Sequence, residues 1–295
     1  MSTRTANYYV TLRCNDSCEF CTIWDTKEHQ QIEEKPYAVS RLRDLGVDRL
    51  NILGGEPLLR PDLPEIVQQA KAAGLHVELT TNGILYPDKA RLLSSHVDRL
   101  FISLDYPFEE MHDRSRGTEC FHSAVKSLKL AQQLGQNAVI KFILTRDSVL
   151  YMPEMVDLAE KLHVPVYFIP VYDFHGTQGF EPATINHIKY FFRRRSVLLD
   201  LAALEWVRQG GNRVITPRCR AGEATVTILP DGRQVSPCFF NQNGRQGRED
   251  ICSSCMRWPY MLPSFSKGLD KYFWLNWYSE RVNQRKQSRF SLSKV

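Results

Sequence analysis

Seven of the eight cysteines fall into two groups whose spacing suits metal chemistry. Cys14, Cys18 and Cys21 form a C-x3-C-x2-C run in Leu12-Arg-Cys-Asn-Asp-Ser-Cys-Glu-Phe-Cys. A loop this short and polar can turn three thiolates onto one centre. Three protein ligands leave one iron of a [4Fe–4S] cluster without a protein partner, and an open coordination position separates a catalytic metal site from a closed structural one. The other reading of the run is a zinc knuckle, with His29 as the fourth ligand. Cys219, Cys238, Cys252 and Cys255 form the second group, two of them flanking a hairpin signal and two spaced C-x2-C. Four thiolates can close fully around a centre, and C-x2-C does not distinguish zinc from an iron–sulfur cluster. Cys120 belongs to neither group and reads as a small core residue.

The setting favours metal or redox chemistry over disulfides. The 295 residues are 43% apolar and 24% charged, which excludes collagen, coiled coil and disorder. The length suits one large domain, or a large and a small one. There is no run of 18 apolar residues to span a bilayer. The first residues lack the apolar segment of a secretory signal, so a cytoplasmic location, where cysteines stay reduced, is expected. A net charge of +5 is too mild to argue for nucleic acid alone. The basic residues are clustered, with Arg281, Arg285, Lys286, Arg289 and Lys294 in an end free of acids and Arg193-Arg194-Arg195 mid-chain.

The elements that must position the cysteines are legible in the periodicity. Alternation over residues 7–12 predicts a strand that delivers its C-terminal end to the first cysteine loop. Further strands are predicted over 48–55, 75–80, 99–105, 138–145 and 164–169, with helices near 63–73, 121–134 and 152–162. Six strands alternating with helices make a parallel sheet, open or curled toward a barrel, whose active-site candidates sit at strand C-terminal ends. Those ends carry Cys14, Gly54-Gly55-Glu56, Thr81-Asn82, Ser103 and Asp105, Thr145 and Tyr172. One helical stretch is predicted from residue 185 through the arginine knot to about 208, broken by Gly210-Gly211. Pro230-Asp231-Gly232 between apolar-rich stretches predicts a hairpin, with Cys219 before its first strand and Cys238 ending its second.

These motifs, in this order, resemble those of the radical S-adenosylmethionine (SAM) enzymes over about the first two-thirds of the chain. The pieces are the cysteine run with Phe20 as its aromatic, Gly54-Gly55-Glu56-Pro57, Thr81-Asn82-Gly83, Ser103-Leu104-Asp105 and His112-Asp113-Arg114-Ser115-Arg116-Gly117. The last string resembles the subgroup with an auxiliary-cluster domain. Cys219-x2-Gly222 and the Asp-Gly-to-Pro-Cys stretch are similar to its SPASM/Twitch extensions. One extra residue stands between Gly232 and Cys238, and no cysteine follows Cys255, which favours the short, single-cluster form. The resemblance implies an α/β fold: a partial parallel (β/α)6 barrel with a helical linker over 1–210, a hairpin-containing auxiliary domain over 211–260 and an aromatic, basic tail over 261–295.

It also implies roles. Cys14, Cys18 and Cys21 would hold a [4Fe–4S] cluster whose open iron takes SAM, and Cys219, Cys238, Cys252 and Cys255 a second, auxiliary [4Fe–4S] cluster. Glu56, on the Gly54-Gly55-Glu56-Pro57 turn, would accept from the SAM ammonium. Asn82 and Ser103 would address its ribose or methionyl group, Arg116 its carboxylate, and Phe20 its adenine. Each has a plainer reading: the glycine pair and Thr81-Asn82-Gly83 as turns, Asp105 as a strand terminator, Arg116 as a surface partner of Asp113. The implied activity is reductive cleavage of SAM to a 5′-deoxyadenosyl radical that abstracts hydrogen from a small-molecule or peptide substrate. A flavodoxin or ferredoxin would supply the electron.

The substrate leaves fewer traces. Little chain precedes the cysteine strand to hold a peptide-recognition domain. Tyr172, Asp173 and His175 are candidate substrate contacts by position. Residues 258–278 hold eight aromatics, read first as a helix docked on the barrel and second as a weak contact with a membrane surface or nucleic acid. Two other functions stay in view: a nucleotide- or RNA-modifying radical enzyme, and a non-catalytic iron–sulfur electron carrier.

Overall fold

Alternating apolar residues put one face of every central strand under helices, and that alone fixes the sheet. The computed structural model describes residues 4–21, 23–25, 31–170, 180–213, 219–239, 241–242, 252, 255, 257–265 and 270–292. His29, Tyr172, Asp173, His175, Lys294 and most of the stretch between Cys238 and Cys252 lie outside them.

Strands β1 (Arg4–Thr11), β2 (Val47–Gly54), β3 (His76–Thr81), β4 (Arg99–Ser103), β5 (Ala138–Leu144) and β6 (Val166–Pro170) run parallel, each beside the next. Helices α1 (Arg41–Asp44), α2 (Leu63–Ala72), α3 (Tyr86–Leu93), α4 (Glu109–Arg116), α5 (Phe121–Gln133) and α6 (Met152–Lys161) alternate with them. Tyr8 and Val10, Leu50 and Ile52, Val77 and Leu79, Leu100 and Ile102, and Ile140 and Phe142 are fully buried in one core. The other face carries Asn7, Arg49, Asn51, Glu78, Arg99 and Lys141, which line a cavity of about 650 Å³. This is the partial barrel the sequence implied.

Beyond β6 come α7 (Pro182–Phe191), β7 (Val197–Leu198) and α8 (Leu201–Arg208). The single helix expected across the arginine knot is therefore two helices with a strand between them. The apolar Val197-Leu198 pairs with Val166 and Tyr167 of β6, and the Asp200 side chain accepts from Ala202 N to start α8 afresh. Arg194 turns out to Glu160 at 2.9 Å.

The remaining elements are α9 (Ala221–Ala224), β8 (Thr225–Ile228), β9 (Gln234–Val235), β10 (Pro237–Cys238), β11 (Asn241–Gln242), α10 (Trp258–Phe265) and α11 (Lys271–Leu292). The hairpin β8–β9 forms around Gly232, whose φ of 82° is the left-handed conformation glycine supplies without strain. Strand β8 lies parallel to β1, with Thr5 opposite Thr225 and Tyr8 opposite Ile228. Hairpin and barrel therefore share one sheet, ordered β7-β6-β5-β4-β3-β2-β1-β8-β9 among the described residues. Cys238 ends β10, which pairs with β11, instead of the hairpin's second strand.

The C-terminal aromatics dock only in part. Trp206 of α8 is fully buried against Trp258, Phe265 and Tyr272, and its Nε1 donates to Cys255 O at 3.2 Å. Trp274, Trp277 and Tyr278 stay about half exposed, at 50%, 45% and 52%. Polar side chains of α11 satisfy the chain around β7. Lys286 Nζ donates to Phe192 O and Val197 O, Asn283 bonds Leu199 N and O, and Ser279 Oγ accepts from Leu201 N. An exposed sheet edge is a template for aggregation, and α11 covers this one. Among the described residues no helix is long and apolar enough to cross a membrane.

Trp206→Ala should cost about 3–5 kcal/mol of stability, as for a large buried aromatic. Urea unfolding followed by circular dichroism would show the lower midpoint.

Candidate metal and cofactor site

The first cysteine loop leaves the C-terminal end of β1 and is held from three sides. From β2, Gly55 N donates to Thr11 O at 3.0 Å and Glu56 N to Arg13 O at 2.8 Å. A Cβ on Gly54 would stand 2.2 Å from Thr11 O and one on Gly55 2.1 Å from Arg13 O. The glycine pair thus admits the chain's own backbone, although both glycines also border the cavity. From β3, Asn82 Nδ2 donates to Asn15 Oδ1 at 2.9 Å. From α4, Ser17 N donates to Arg116 O at 2.9 Å and Glu19 N to Ser115 O at 3.1 Å. The helix ends there on Gly117, φ 63°, where a Cβ would collide with Ser17 Oγ.

Glu56 binds these sides together from inside. Oε1 accepts from Thr81 Oγ1 at 2.7 Å and Leu58 N at 3.0 Å, and Oε2 from Asn82 N at 2.8 Å. Both oxygens bond the chain, and Oε2, with one accepted bond, keeps capacity for a further donor. Burial nonetheless pushes its carboxyl up to about 7, against the hydrogen bonds that lower it. Pro57 starts a short 3-10 turn, Pro57–Leu59, capped by the same carboxylate.

Arg116 lies beneath the loop, 7% exposed. Its Nε is 2.5 Å from Asp105 Oδ2 and its Nη1 3.4 Å from Asp16 Oδ2, and Nη1 donates to Cys18 Sγ at 3.6 Å. Phe20 lies over the guanidinium, 5.9 Å from ring centroid to Cζ. Asp105 is thus a counter-ion and not only a strand terminator. Asp113, the other partner considered for Arg116, instead accepts from Cys120 N and Phe121 N to start α5. Asp105 is oriented in turn by His112, whose Nδ1 accepts from Asp105 N at 3.1 Å. That leaves Nε2–H to face Cys120 Sγ at 3.4 Å, the fully buried place expected for Cys120. Burial, helped by Arg116, pushes His112 down to about 3, so the ring is neutral.

The three loop cysteines suit an iron–sulfur cluster by their donor chemistry. Burial pushes Cys14 and Cys18 up to about 12 and raises Cys21 as well. Thiols so desolvated stay protonated alone, whereas a metal cation deprotonates its thiol ligands outright. The second group comes together too. Cys219 is exposed as a residue, yet its thiol is raised to about 11, by burial first and then by the nearness of Cys255, Cys238 and Cys252. Asn212 ties the Cys252–Cys255 turn, its N donating to Cys255 O at 2.9 Å and its Nδ2 to Cys252 O at 2.6 Å. Between the two groups lies one apolar cluster in which Tyr9, Leu12, Ile23 and Phe239 pack with Cys21 and Cys238.

Residues 8–171 match the model of the radical SAM superfamily. The chain belongs to that superfamily. Radical SAM proteins use a [4Fe–4S] cluster and SAM, and the barrel and the cysteine loop are the parts that match. A probable GTP 3′,8-cyclase of Thermoplasma volcanium is 31% identical over 254 residues, 82% of this chain and 77% of that protein. AdoMet-dependent heme synthase of Oleidesulfovibrio alaskensis is 27% identical over 173 residues, and this chain spans 45% of its length. Streptococcus suis SuiB bound to its precursor peptide SuiA has the same fold, with a TM-score of 0.67 at 16% identity over 90% of this chain and 67% of that one.

Sequence reasoning missed Asp16 and His112 as parts of the site, along with the polar face of the barrel. The signal for the latter is a charge inside an apolar strand: Lys141 in Ala-Val-Ile-Lys-Phe-Ile-Leu, and Glu78 and Arg99 at inward-facing positions.

Arg116→Met leaves Asp16 and Asp105 buried without their cation. It should cost about 3–5 kcal/mol and lower the iron retained after reconstitution, read by urea unfolding and iron counting. Acid should also loosen the site. Below pH 6.5 the unfolded histidine takes a proton that folded His112 refuses until about 3, so stability is lost as pH falls through that window. His112→Gln should reduce the loss between pH 7 and pH 5 by about 2 kcal/mol, in paired unfolding curves at the two pH values.

Proposed function

We propose that this protein is a radical SAM enzyme of the SPASM/Twitch type with one auxiliary cluster. Cys14, Cys18 and Cys21 hold a [4Fe–4S] cluster with one iron open to SAM, and Cys219, Cys238, Cys252 and Cys255 hold the second. Bound together, the first cluster and SAM supply a 5′-deoxyadenosyl radical by one-electron cleavage of the sulfonium C–S bond. The chain's own residues bind, orient and shield. Phe20 lies against the adenine, Asn82 and Ser103 face the ribose or methionyl group, and Arg116 meets the carboxylate while holding Cys18 in place. Gly54, Gly55, Glu56 and Pro57 fix the turn that the cofactor rests on.

One observation carries the reading. Tyr9, Ile23 and Leu53 line the cavity and also pack in the cluster that contains Cys21 and Cys238. One cysteine of each group therefore packs against the apolar cluster that forms part of the chamber's wall. An auxiliary cluster held by the second group would take the electron left after hydrogen abstraction, or anchor the substrate. The apolar wall from α10 and α11 keeps water from the radical.

The substrate is a small molecule or a segment of peptide. The chamber's volume of about 650 Å³ is that of an ordinary small-molecule site, and the SuiB complex supports a peptide strand in the same fold. A nucleotide is the second reading, supported by the GTP 3′,8-cyclase relative. The reductant is a flavodoxin or ferredoxin, in the cytoplasm. The half-exposed Trp274, Trp277 and Tyr278 beside Arg281 support a weak surface contact for the tail, with a membrane or with nucleic acid.

Anaerobic reconstitution followed by iron, sulfide and zinc counting should give about eight irons per chain. Added SAM and dithionite should yield 5′-deoxyadenosine, abolished by Cys14→Ala. About four irons with one zinc would make the second site structural, and clusters that never cleave SAM would leave an electron carrier.

A further inference from the structure

The chamber's two walls differ in charge. The sheet contributes Arg49, Arg99 and Lys141 against one carboxylate, Glu78. That carboxylate is already shared, 3.2 Å from Arg49 Nη1 and 3.4 Å from Arg99 Nη1. The opposite wall contributes Asp200 and Glu280 against one cation, Arg257, with Asp200 accepting from Trp258 Nε1 at 2.5 Å and Asn276 Nδ2 at 3.0 Å. Lys141 alone among the sheet's cations forms no ion pair or side-chain hydrogen bond with the described residues. Its strand position is opposite Ser103 on one side and Tyr167 on the other, at the barrel end where the cysteine loop lies.

We propose that Lys141 is a specificity residue that receives an oxyanion of the substrate, a carboxylate or a phosphate, and so orients the substrate toward the cofactor. This rests on the chamber being the substrate site. An ammonium taken from water without a partner is costly, and a bound anion restores the lost interactions through a charge-assisted hydrogen bond made strong by the low dielectric. Burial and Arg116 push Lys141 down to about 8, which leaves it mostly protonated at neutral pH and eases with an anion beside it. Asp105 and Glu78 also act on it, too weakly to offset that burial. The neighbouring hydroxyl of Ser103 and the Tyr167 ring complete a polar corner with an aromatic side.

The test uses the anaerobically reconstituted holoenzyme and four probes: tripolyphosphate, glutarate, and the uncharged guanosine and glutaramide. Trp258 and Trp277 line the chamber and report binding by their fluorescence. One of the two anions should bind at least tenfold more tightly than the uncharged probes, and which one identifies the oxyanion. Lys141→Met should weaken that anion at least tenfold, and Lys141→Arg less than threefold. Lys141 is only partly buried, and removal of its unpaired charge should leave the melting temperature of Lys141→Met unchanged or raised, so lost binding is separable from lost folding. Equal binding of charged and uncharged probes, or anion binding unmoved by Lys141→Met, would overturn the proposal. So would loss of SAM binding in Lys141→Met, because the ammonium would then serve the cofactor. Iron content and 5′-deoxyadenosine formed by the unsubstituted protein report separately on the radical reading, which can fail while the anion site stands.

Discussion

A guanidinium under the cysteine loop is what the site hangs on. Arg116 joins three pieces of chain that share no ladder hydrogen bonds: the loop through Asp16 and Cys18, the end of β4 through Asp105, and α4 through its own backbone. Buried charges are tolerated only in such company. The two carboxylates and the cation hold each other in place, and neutral His112 fixes Asp105 without adding charge. Glu56 plays the matching part on the other side, joining the ends of β2 and β3 through two accepted hydrogen bonds and capping its own turn with a third. The loop that offers three thiols to a metal is thus clamped at both flanks by buried carboxylates.

The barrel is built from a contradiction in each strand. Residues facing the helices are uniformly apolar, while those facing the chamber include asparagines, a glutamate, arginines and a lysine. A core made only for stability would carry none of these. The polar groups satisfy each other in part: Asn51 Nδ2 donates to Asn7 Oδ1 at 2.9 Å and Glu78 serves both Arg49 and Arg99, while Asn7 Nδ2, Asn51 Oδ1 and Arg99 Nε have no hydrogen-bond partner among the described residues. The C-terminal helices complete the enclosure and bring the second cysteine group within one apolar cluster of the first.

Periodicity made the six strands and most of their helices legible, because each strand's outward face must be apolar and the helices repeat every 3.6 residues. The motif residues were legible as a set, since Cys14, Glu56, Asn82 and Arg116 all lie at strand or helix ends. Their partners were not. Which side of Arg116 meets Asp105 rather than Asp113 depends on how α4 lies against β4, and no local pattern carries that. The break at β7 was hidden for a similar reason, as a two-residue strand gains its stability from β6 and α11 and not from propensity. The parallel pairing of β8 with β1 was hidden by distance along the chain.

That pairing has a consequence for how the protein is made. β1 lies between β2 and β8, and Thr5 meets Thr225. A chain emerging from the ribosome can seat β1 against β2 early, but its other edge stays unpaired until most of the polypeptide has followed. The strand that presents the first cysteine loop is therefore among the last to be locked on both sides. The apolar cluster between Cys21 and Cys238 cannot close before then either. Both cysteine groups reach their final surroundings at the last stage of folding, when nearly the whole chain is available to hold them.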